Sequence, residues 1–229
     1  MCGEGSYYRL ERFKYIKIMK CVIVCNGYGI KKELIEEYKD EGTYLICADG
    51  GANHLIKLGI LPDILIGDFD SISEDVLKFY RAEGVDVIPF PPEKDYTDSE
   101  LAVNIAISKG FKDIVILGGI GSRMDHTLAN INLLKKLHES GCKGTIADEN
   151  NKIQLISSHT NLRKINGYKV TLLALTPKVE GITTNGLYYP LNNYTLMQGS
   201  TRGVSNEFLG NEATVSISSG LLLVIMAKD

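Results

Sequence analysis

Short apolar runs alternate with amphipathic segments along the N-terminal part of the chain. The apolar runs predict strands near residues 22–24, 44–48, 64–67, 85–90 and 114–117. The segments between them predict helices near residues 31–41, 52–58, 73–82, 98–109 and 125–139. The last two helices are expected to carry apolar faces formed by Leu101, Ile105 and Ser108, and by Leu128, Ile131, Leu134 and Leu137. Strands that alternate with helices in this way predict an α/β domain with a mostly parallel sheet in three layers.

The pattern changes after the polar stretch at residues 148–151. Apolar and polar residues alternate at 170–175, 194–196 and 213–218, and Asn-Gly, Asn-Asn and Ser-Gly turns separate these runs. This predicts a small antiparallel β domain, a sandwich, and the apolar run 221–227 is expected to be a buried strand. Residues 1–18 are polar and basic, without a cleavage signal. The predicted organisation is a flexible extension at 1–18, an α/β nucleotide-binding domain at 19–148 and a β-sandwich at 152–229.

Composition and charge narrow the classes of function. The 229 residues carry 25 basic and 28 acidic side chains, a net charge of −3, so the broad basic surface of a nucleic-acid-binding protein is not expected. No apolar run has the length of a membrane span, and no membrane partner is expected. The five cysteines form no C-x-x-C pair, which disfavours a disulfide framework or a zinc site and favours the cytoplasm.

Aspartates follow several of the predicted strands. Asp49 follows strand 44–48, Asp68 and Asp70 follow strand 64–67, and Asp95 and Asp98 follow strand 85–90. Because ligands of open α/β sheets bind at the carboxyl ends of the strands, these carboxylates are expected to meet at one edge. Carboxylates repel one another unless a counter-charge lies between them. A hard divalent cation that holds a polyphosphate is the natural counter-charge.

Two glycine-rich segments suit a phosphate. Gly50 and Gly51 lie between a strand and a helix, where they leave backbone N–H groups for a phosphate or ribose. The segment 118–126 contains Arg123, whose planar guanidinium can bond phosphate oxygens. This segment departs from the dinucleotide pattern G-x-G-x-x-G because Met124 occupies the last glycine position. The motif G-x-x-x-x-G-K-[ST] does not occur, which excludes a P-loop kinase.

Together and in this order, these segments resemble the thiamine pyrophosphokinase family. The resemblance runs from residue 20 onward and rests on Ala48-Asp-Gly-Gly-Ala-Asn53, Pro62-Asp-Ile-Leu-Ile-Gly-Asp-Phe-Asp-Ser71, Lys94-Asp-Tyr-Thr-Asp-Ser-Glu100, Arg123-Met-Asp-His126, Gly186-Leu-Tyr-Tyr-Pro-Leu191 and Gly203-Val-Ser-Asn-Glu-Phe208. It implies an enzyme that transfers the terminal diphosphate of ATP to the hydroxyethyl group of thiamine and releases AMP. It also implies a homodimer that binds thiamine between its subunits.

The resemblance further implies roles for individual residues. Mg²⁺ would be held by Asp68, Asp70 and Asp98. The residues expected around ATP are Asp49, Gly50, Gly51, Asn53, Lys94, Thr97, Gly119, Arg123, Asp125 and His126. Those expected at the aminopyrimidine of thiamine are Ser205 and Asn206.

The chemistry of the residues agrees with this family and leaves some points open. Diphosphate transfer needs positioning and charge neutralisation, which assigns catalysis to Asp70, Asp98 and Arg123. Asp98 and Asp70 are both suited to accept the hydroxyl proton, and the sequence does not decide between them or show that a base is needed. One alternative is another metal-dependent nucleotide enzyme, such as a DxD glycosyltransferase or a nucleotide pyrophosphohydrolase. Another is a non-catalytic thiamine or nucleotide sensor, which the full set of carboxylates disfavours.

Overall fold

Two β-sheets form the framework of the protein. A computed structural model describes residues 20–93 and 95–229. The strands are β1 (Lys20–Val24), β2 (Tyr44–Ala48), β3 (Ile64–Gly67), β4 (Asp86–Pro89), β5 (Asp113–Leu117), β6 (Lys143–Ala147), β7 (Asn151–Ile156), β8 (His159–Arg163), β9 (Lys169–Ala174), β10 (Lys178–Asn185), β11 (Tyr194–Met197), β12 (Glu212–Ser216) and β13 (Leu222–Ala227). The helices are α1 (Lys32–Tyr38), α2 (Ala52–Leu58), α3 (Glu74–Ala82), α4 (Asp98–Ser108) and α5 (Met124–Glu139). The larger sheet has the strand order β4-β3-β2-β1-β5-β6-β7-β13-β9, and the smaller has the order β11-β10-β12-β8.

Strands β1 to β6 are parallel, and helices cover both of their faces. Successive residues of β1 point to opposite faces, so Ile23 packs with α4 and α5 whereas Val22 and Val24 pack with α1, α2 and α3. Both faces of this part of the sheet are therefore apolar, as expected for parallel strands between two helical layers. The prediction of a three-layer α/β domain with a mostly parallel sheet is confirmed.

Two helices begin after a serine or threonine whose side chain caps the helix N-terminus. Ser73 precedes α3, and its hydroxyl accepts from the Val76 N–H at 3.4 Å. Thr97 precedes α4, and its hydroxyl accepts from the Glu100 N–H at 3.2 Å. Such caps satisfy donors that lack a partner within the helix, so they fix where each helix starts.

The predicted apolar faces of α4 and α5 are partly wrong. In α4 the buried residues are Ala102, Val103 and Ala106, while Ser108 is exposed. In α5 Leu134 and Leu137 are buried, but Leu128 is 55% exposed. The reason is geometric, because each three-residue step falls about 60° short of a full helical turn. A series of such steps from Leu128 therefore ends on the opposite side of the helix.

The second part of the chain forms a β-sandwich that shares the large sheet. Strand β7 pairs antiparallel with β6, and β13 lies between β7 and β9. The four-stranded sheet packs over these strands around a core that includes Val170, Ile182 and Val224. An α/β domain followed by a β-sandwich is therefore confirmed, and β13 is the expected buried strand. Because the large sheet continues across residues 148–152, the proposed domain boundary there remains a prediction.

Two sequence-based expectations concern residues that the structure does not describe. The flexible extension at 1–18 and the role of Lys94 both lie outside the described residues, so they stay predictions. Among the helices of residues 20–93 and 95–229, none combines the length and apolar character needed to cross a membrane.

Candidate active site

One cleft lies where the order of the parallel strands reverses. From β1 the chain adds β2, β3 and β4 on one side, whereas β5 and β6 lie on the other side. Ligands of open α/β sheets bind in the crevice that such a reversal creates beyond the carboxyl ends of the strands. A cleft of about 440 Å³ occupies this position, between the segments that follow β1 and β5.

Hydrogen bonds between backbone groups form the base of this cleft. The Gly27 N–H donates to the Gly118 carbonyl at 2.9 Å, and the Tyr28 N–H donates to the Ile120 carbonyl at 2.8 Å. A Cβ on Gly27 would lie 2.2 Å from the Ile120 carbonyl oxygen, so a larger residue does not fit there. Gly118 has a φ of +66°, which also favours glycine. The loops after β1 and β5 are thereby held together beside the cleft.

Three carboxylates meet at the strand ends beside this cleft. Oxygen atoms of Asp49, Asp68 and Asp70 all lie within 4.8 Å of one another. Burial raises the pKa of the Asp49 carboxyl, Asp98 and Asp68 raise it further, and hydrogen bonds from Ser71 and the Gly50 backbone oppose the rise. The Asp49 Oδ1 atom is buried and has no hydrogen-bond partner among the described residues. A buried oxygen without a partner, close to two further carboxylates, fits a hard divalent cation.

Unusual backbone conformations bring these carboxylates together. Asp49 has a φ of +40°, and Phe69, between Asp68 and Asp70, has a φ of +63°. Gly67 has a φ of +148°, and a Cβ there would lie 2.9 Å from the Asp49 Cβ atom. Non-glycine residues in this region cost about 1–3 kcal/mol each, and they cluster at functional sites. The strain therefore supports a functional role for these aspartates.

Asp98 lies in the same cleft but outside the group of three. It is in the first turn of α4 and lines the cleft together with Thr97 and Ser99. Ser99 Oγ lies 3.3 Å from Cys25 Sγ, and burial raises the pKa of the Cys25 thiol to about 11. The geometry brings Asp49 close to Asp68 and Asp70, and the part of Asp98 in holding the cation, which the resemblance implies, stays a prediction.

The segment between β5 and α5 forms the opposite wall. Arg123 donates to the Asp125 carboxylate at 2.7 Å, and this bond holds the pKa of Asp125 at about 2. The His126 N–H also donates to the Asp125 carboxylate, at 2.9 Å. Asp125 therefore satisfies one of the backbone donors in the first turn of α5. Arg123 and His126 both line the cleft and are exposed. The guanidinium is therefore accessible to an anionic ligand.

Sequence reasoning missed two residues that hold this wall. Asn130 is buried in α5 and donates to the Gly119 carbonyl at 2.8 Å. The Thr127 hydroxyl, also buried, accepts from the Gly121 N–H at 3.2 Å. The signal was present in the sequence, because polar residues three positions apart on the inner face of a helix need partners.

The other residues that were predicted to bind the nucleotide differ in where they lie relative to the cleft. Gly50 and Gly51 are buried, and a Cβ on Gly51 would lie 2.4 Å from the Val24 carbonyl oxygen. Asn53 donates from Nδ2 to the Ser71 carbonyl at 2.9 Å. It therefore anchors the loop that carries Asp70, and it does not line the cleft.

The two residues predicted to bind the acceptor lie in the β-sandwich and differ from each other. Asn206 is buried, accepts from the Tyr189 N–H at 3.0 Å and donates to the Tyr189 carbonyl at 2.8 Å. Its side chain thus holds the neighbouring loop. Ser205 is exposed and has a φ of +60°. Beside them, Tyr188 and Tyr189 are 59% and 65% exposed.

The fold and the cleft together indicate the class of protein. They define an α/β protein with a cleft at the switch point of its sheet and a β-sandwich after the α/β part. Residues 35–146 match the catalytic domain of thiamin pyrophosphokinase, and residues 157–222 match the vitamin B1 binding domain of thiamin pyrophosphokinase. The chain belongs to the thiamine pyrophosphokinase family.

Individual relatives agree with this assignment. The thiamine pyrophosphokinase of Bacillus subtilis is 34% identical over 88% of this chain and 96% of its own length. Thiamin pyrophosphokinase 1 of Caenorhabditis elegans is 25% identical over 85% of this chain and 83% of its own length. The crystal structure of the Bacillus subtilis protein superposes with a TM-score of 0.84 at 32% identity, over 92% of this chain and 99% of that chain. The thiamin pyrophosphokinase of Geobacillus thermodenitrificans gives 0.80 at 31% identity, over 92% and 98%.

Proposed function

We propose that this chain transfers the diphosphate of ATP to the hydroxyl of thiamine, producing thiamine diphosphate and AMP. The observation that carries the proposal is the group of Asp49, Asp68 and Asp70 at the switch-point cleft, with the buried Asp49 Oδ1 atom unpaired among the described residues. The cleft is built to accept a charged ligand, and the family membership of the chain indicates which reaction that ligand undergoes.

ATP is assigned to the cleft between the loops after β1 and β5. Gly119 and Thr97 line it, and Arg123 is exposed at its wall, where its guanidinium can leave Asp125 for a phosphate. His126 and Asp125 border the nucleotide on the same side. Asn53 positions the Asp70 loop, and Gly50 and Gly51 permit the close packing beneath it. Lys94 retains the phosphate role that the sequence assigns to it.

Mg²⁺ is assigned to Asp68 and Asp70, with Asp49 and Asp98 completing the acidic wall. When bound, the cation neutralises charge on the diphosphate that is transferred. The carboxylates would hold this cation rather than contact the phosphates directly, and Arg123 supplies further positive charge near the departing AMP. Asp70 and Asp98 remain the two candidates for acceptance of the hydroxyl proton, because both lie at the edge of the cleft.

Thiamine is assigned to the surface around Ser205, Asn206, Tyr188 and Tyr189. Exposed aromatic rings can stack on a heterocycle, and the Ser205 hydroxyl can exchange hydrogen bonds with it. Asn206 acts indirectly in this arrangement, because its side chain holds the Tyr189 backbone. Catalysis is expected to require this surface and the ATP cleft to face each other.

A homodimer would bring these two surfaces together. On the face of the large sheet that carries α4 and α5, Leu155, Leu173 and Ile225 of the sandwich strands are only partly buried. Partly exposed apolar residues on neighbouring strands suit contact with a second copy. The four cysteines of the described residues are free and buried, which supports function in the cytoplasm.

The direct test is an assay with thiamine and Mg·ATP in which the products are separated and identified by mass. We expect AMP and thiamine diphosphate in equal amounts. Release of phosphate or pyrophosphate without a diphosphorylated acceptor would indicate a hydrolase instead. Tight binding of both ligands without any turnover would indicate a sensor.

A further inference from the structure

A second cavity lies on the large sheet, away from the catalytic cleft. It encloses about 530 Å³ between β6, β7 and β8 and shares no lining residue with that cleft. Gln154 of β7 pairs with both Thr145 of β6 and Val224 of β13, so these residues point to one face. This is the face that the four-stranded sheet covers, because Val224 belongs to the core beneath that sheet.

The residues that line the cavity come from strands of both sheets and from Ile165 just after β8. One of them, Lys152, places its ammonium 5.4 Å from the ring centre of Tyr38, the last residue of α1. The cavity therefore lies at the junction of the large and the small sheet. A gap at such a junction is a common position for a ligand site.

Basic side chains dominate the charge of this cavity. Lys143, Lys152 and Arg163 line it, together with one acid, Glu212. Arg163 Nε lies 3.9 Å from the Glu212 carboxylate, and both side chains are largely exposed, so this pair is weak. Within residues 20–93 and 95–229, neither Lys143 nor Lys152 forms an ion pair. Several like charges without counter-charges around one cavity favour an anionic ligand.

The floor of the cavity has a different character. Leu162, Val224 and Met226 line it, and all three are buried apolar residues. Gln154 is fixed beside them, because its Nε2 atom donates to the Thr145 hydroxyl at 3.2 Å. Ile165 adds exposed apolar surface at the rim, which a bare inorganic anion would leave uncovered and a ligand with a ring or an apolar chain would cover.

We propose that this cavity is a second ligand site, which binds a small organic phosphate. The phosphate lies among Lys143, Lys152 and Arg163, and the apolar body of the ligand lies on Leu162 and Met226. The volume is within the range of about 300–1,000 Å³ that small-molecule sites occupy. The site is separate from the proposed diphosphate transfer and would bind its ligand whether or not that reaction occurs.

A fluorescent reporter can test this site alone, because the chain contains no tryptophan. Ile165 lines the cavity and is exposed, so Ile165→Trp places one indole at its rim. The full chain with this change is titrated with phenyl phosphate in the absence of nucleotide and Mg²⁺. We expect a saturable change in indole emission with one site per chain. The matched control is Leu61→Trp, an equally exposed position outside this cavity, whose emission should not change.

Charge variants in the Ile165→Trp background test whether binding of phenyl phosphate depends on the positive charge of the cavity. Lys152→Gln should weaken the binding of phenyl phosphate about tenfold, which is the usual consequence of losing a charged hydrogen bond. Glu212→Gln removes the acidic side chain of the cavity and should strengthen the binding of phenyl phosphate. Inorganic phosphate should bind more weakly than phenyl phosphate, because it leaves the apolar rim uncovered.

Two results would overturn the proposal. One is the absence of a saturable signal from the introduced indole in a folded Ile165→Trp protein. The other is a signal that Lys152→Gln leaves unchanged and Arg123→Gln removes, since phenyl phosphate would then occupy the catalytic cleft, which Arg123 lines. Neither result depends on whether diphosphate transfer is observed, so failure of this site and failure of the proposed function are distinguishable.

Discussion

The catalytic cleft and the loop around Asn206 are organised in opposite ways. In the cleft, the buried Asp49 Oδ1 atom has no hydrogen-bond partner within the described residues, and the backbone at Asp49 has a positive φ. At the loop, the Asn206 side chain accepts a hydrogen bond from the Tyr189 N–H and donates one to the Tyr189 carbonyl, and the Tyr188 ring is exposed. The cleft therefore holds polar groups that need a charged ligand. The loop is satisfied internally and presents an aromatic surface that needs a partner.

The difference indicates how the two regions would share the work. Repulsion and strain at the cleft lower the stability of the free protein and are relieved when a cation and phosphates bind. The aromatic surface has no such conflict, and its binding energy comes from burial of the rings. Mutations should therefore separate the two regions by which ligand they affect and by the sign of their effect on stability.

The largest effect is expected from loss of a cleft carboxylate. Asp70→Asn or Asp98→Asn should lower kcat by about 10²-fold or more, because each removes a negative charge that organises the cation and phosphates. The Asp70→Asn change should leave the melting temperature of the free protein close to that of the wild type, since Asp70 is exposed. Steady-state kinetics and thermal unfolding measure both quantities.

The matched control for this experiment is Asp86→Asn. Asp86 is an exposed aspartate at the start of β4, at the opposite end of the strand from the cleft. The kcat of the Asp86→Asn variant should stay close to that of the wild type. If a folded Asp70→Asn, Asp98→Asn double variant were similarly active, the assignment of the cation site would be wrong.

Much of this arrangement could be predicted from the sequence because it depends on local patterns. Apolar runs that end at aspartate predicted β2 and β3 and the side of the sheet on which Asp49, Asp68 and Asp70 lie. The predicted helix starts near residues 73 and 98 agree with α3 and α4, because a cap acts within three residues of its position.

Other features depend on contacts that the sequence pattern does not contain. The close approach of Asp49 to Asp68 and Asp70 follows from positive φ values at Asp49 and Phe69, which non-glycine residues adopt rarely. The role of Asn206 follows from its bonds to Tyr189, seventeen positions earlier in the chain. Strands β6, β7, β8 and β10 were not predicted, and the pairing of β7 with β6, which extends the large sheet into the sandwich, is a long-range choice.

An effect of intermediate size is expected at the loop. Asn206→Ala leaves the Tyr189 N–H and carbonyl without their partner, which costs about 1–3 kcal/mol. Thiamine affinity should fall about tenfold or more as the loop loses its position, while ATP affinity stays nearly unchanged. Calorimetry with each ligand separately measures this division.

A second change at the same position tests the same point. Asn206→Asp keeps the oxygen that accepts from the Tyr189 N–H, but it replaces the donor with an oxygen and puts a buried negative charge against the Tyr189 carbonyl. It should weaken thiamine binding at least as much as Asn206→Ala. Equal weakening of ATP and thiamine by Asn206→Ala would contradict the division between the two regions.

A smaller effect tests whether the two regions meet across a dimer. Asp98→Asn and Asn206→Ala chains are mixed, dissociated and reassociated, then assayed at low thiamine concentration. Random pairing makes half of the dimers mixed, and each mixed dimer would have one intact site, so about a quarter of wild-type activity should return. The controls are the two variants treated alone. Absence of recovery in dimers verified as mixed would show that each site is built within one chain.

The smallest effect, and the one with the opposite sign, is expected at Asp49. Because burial raises the pKa of this carboxyl, the folded protein disfavours its charged form, and this destabilisation is present at pH values above the raised pKa. Asp49→Asn removes the charge and should raise the melting temperature of the free protein at neutral pH by about 1–4 °C. The gain should shrink as pH falls through the raised pKa, since the wild-type carboxyl then becomes neutral as well. Added Mg²⁺ and ATP should stabilise the wild type more than the variant. Thermal unfolding across pH without ligand measures the effect, and a gain that persisted unchanged in acid would attribute it to the positive φ of residue 49 rather than to its charge.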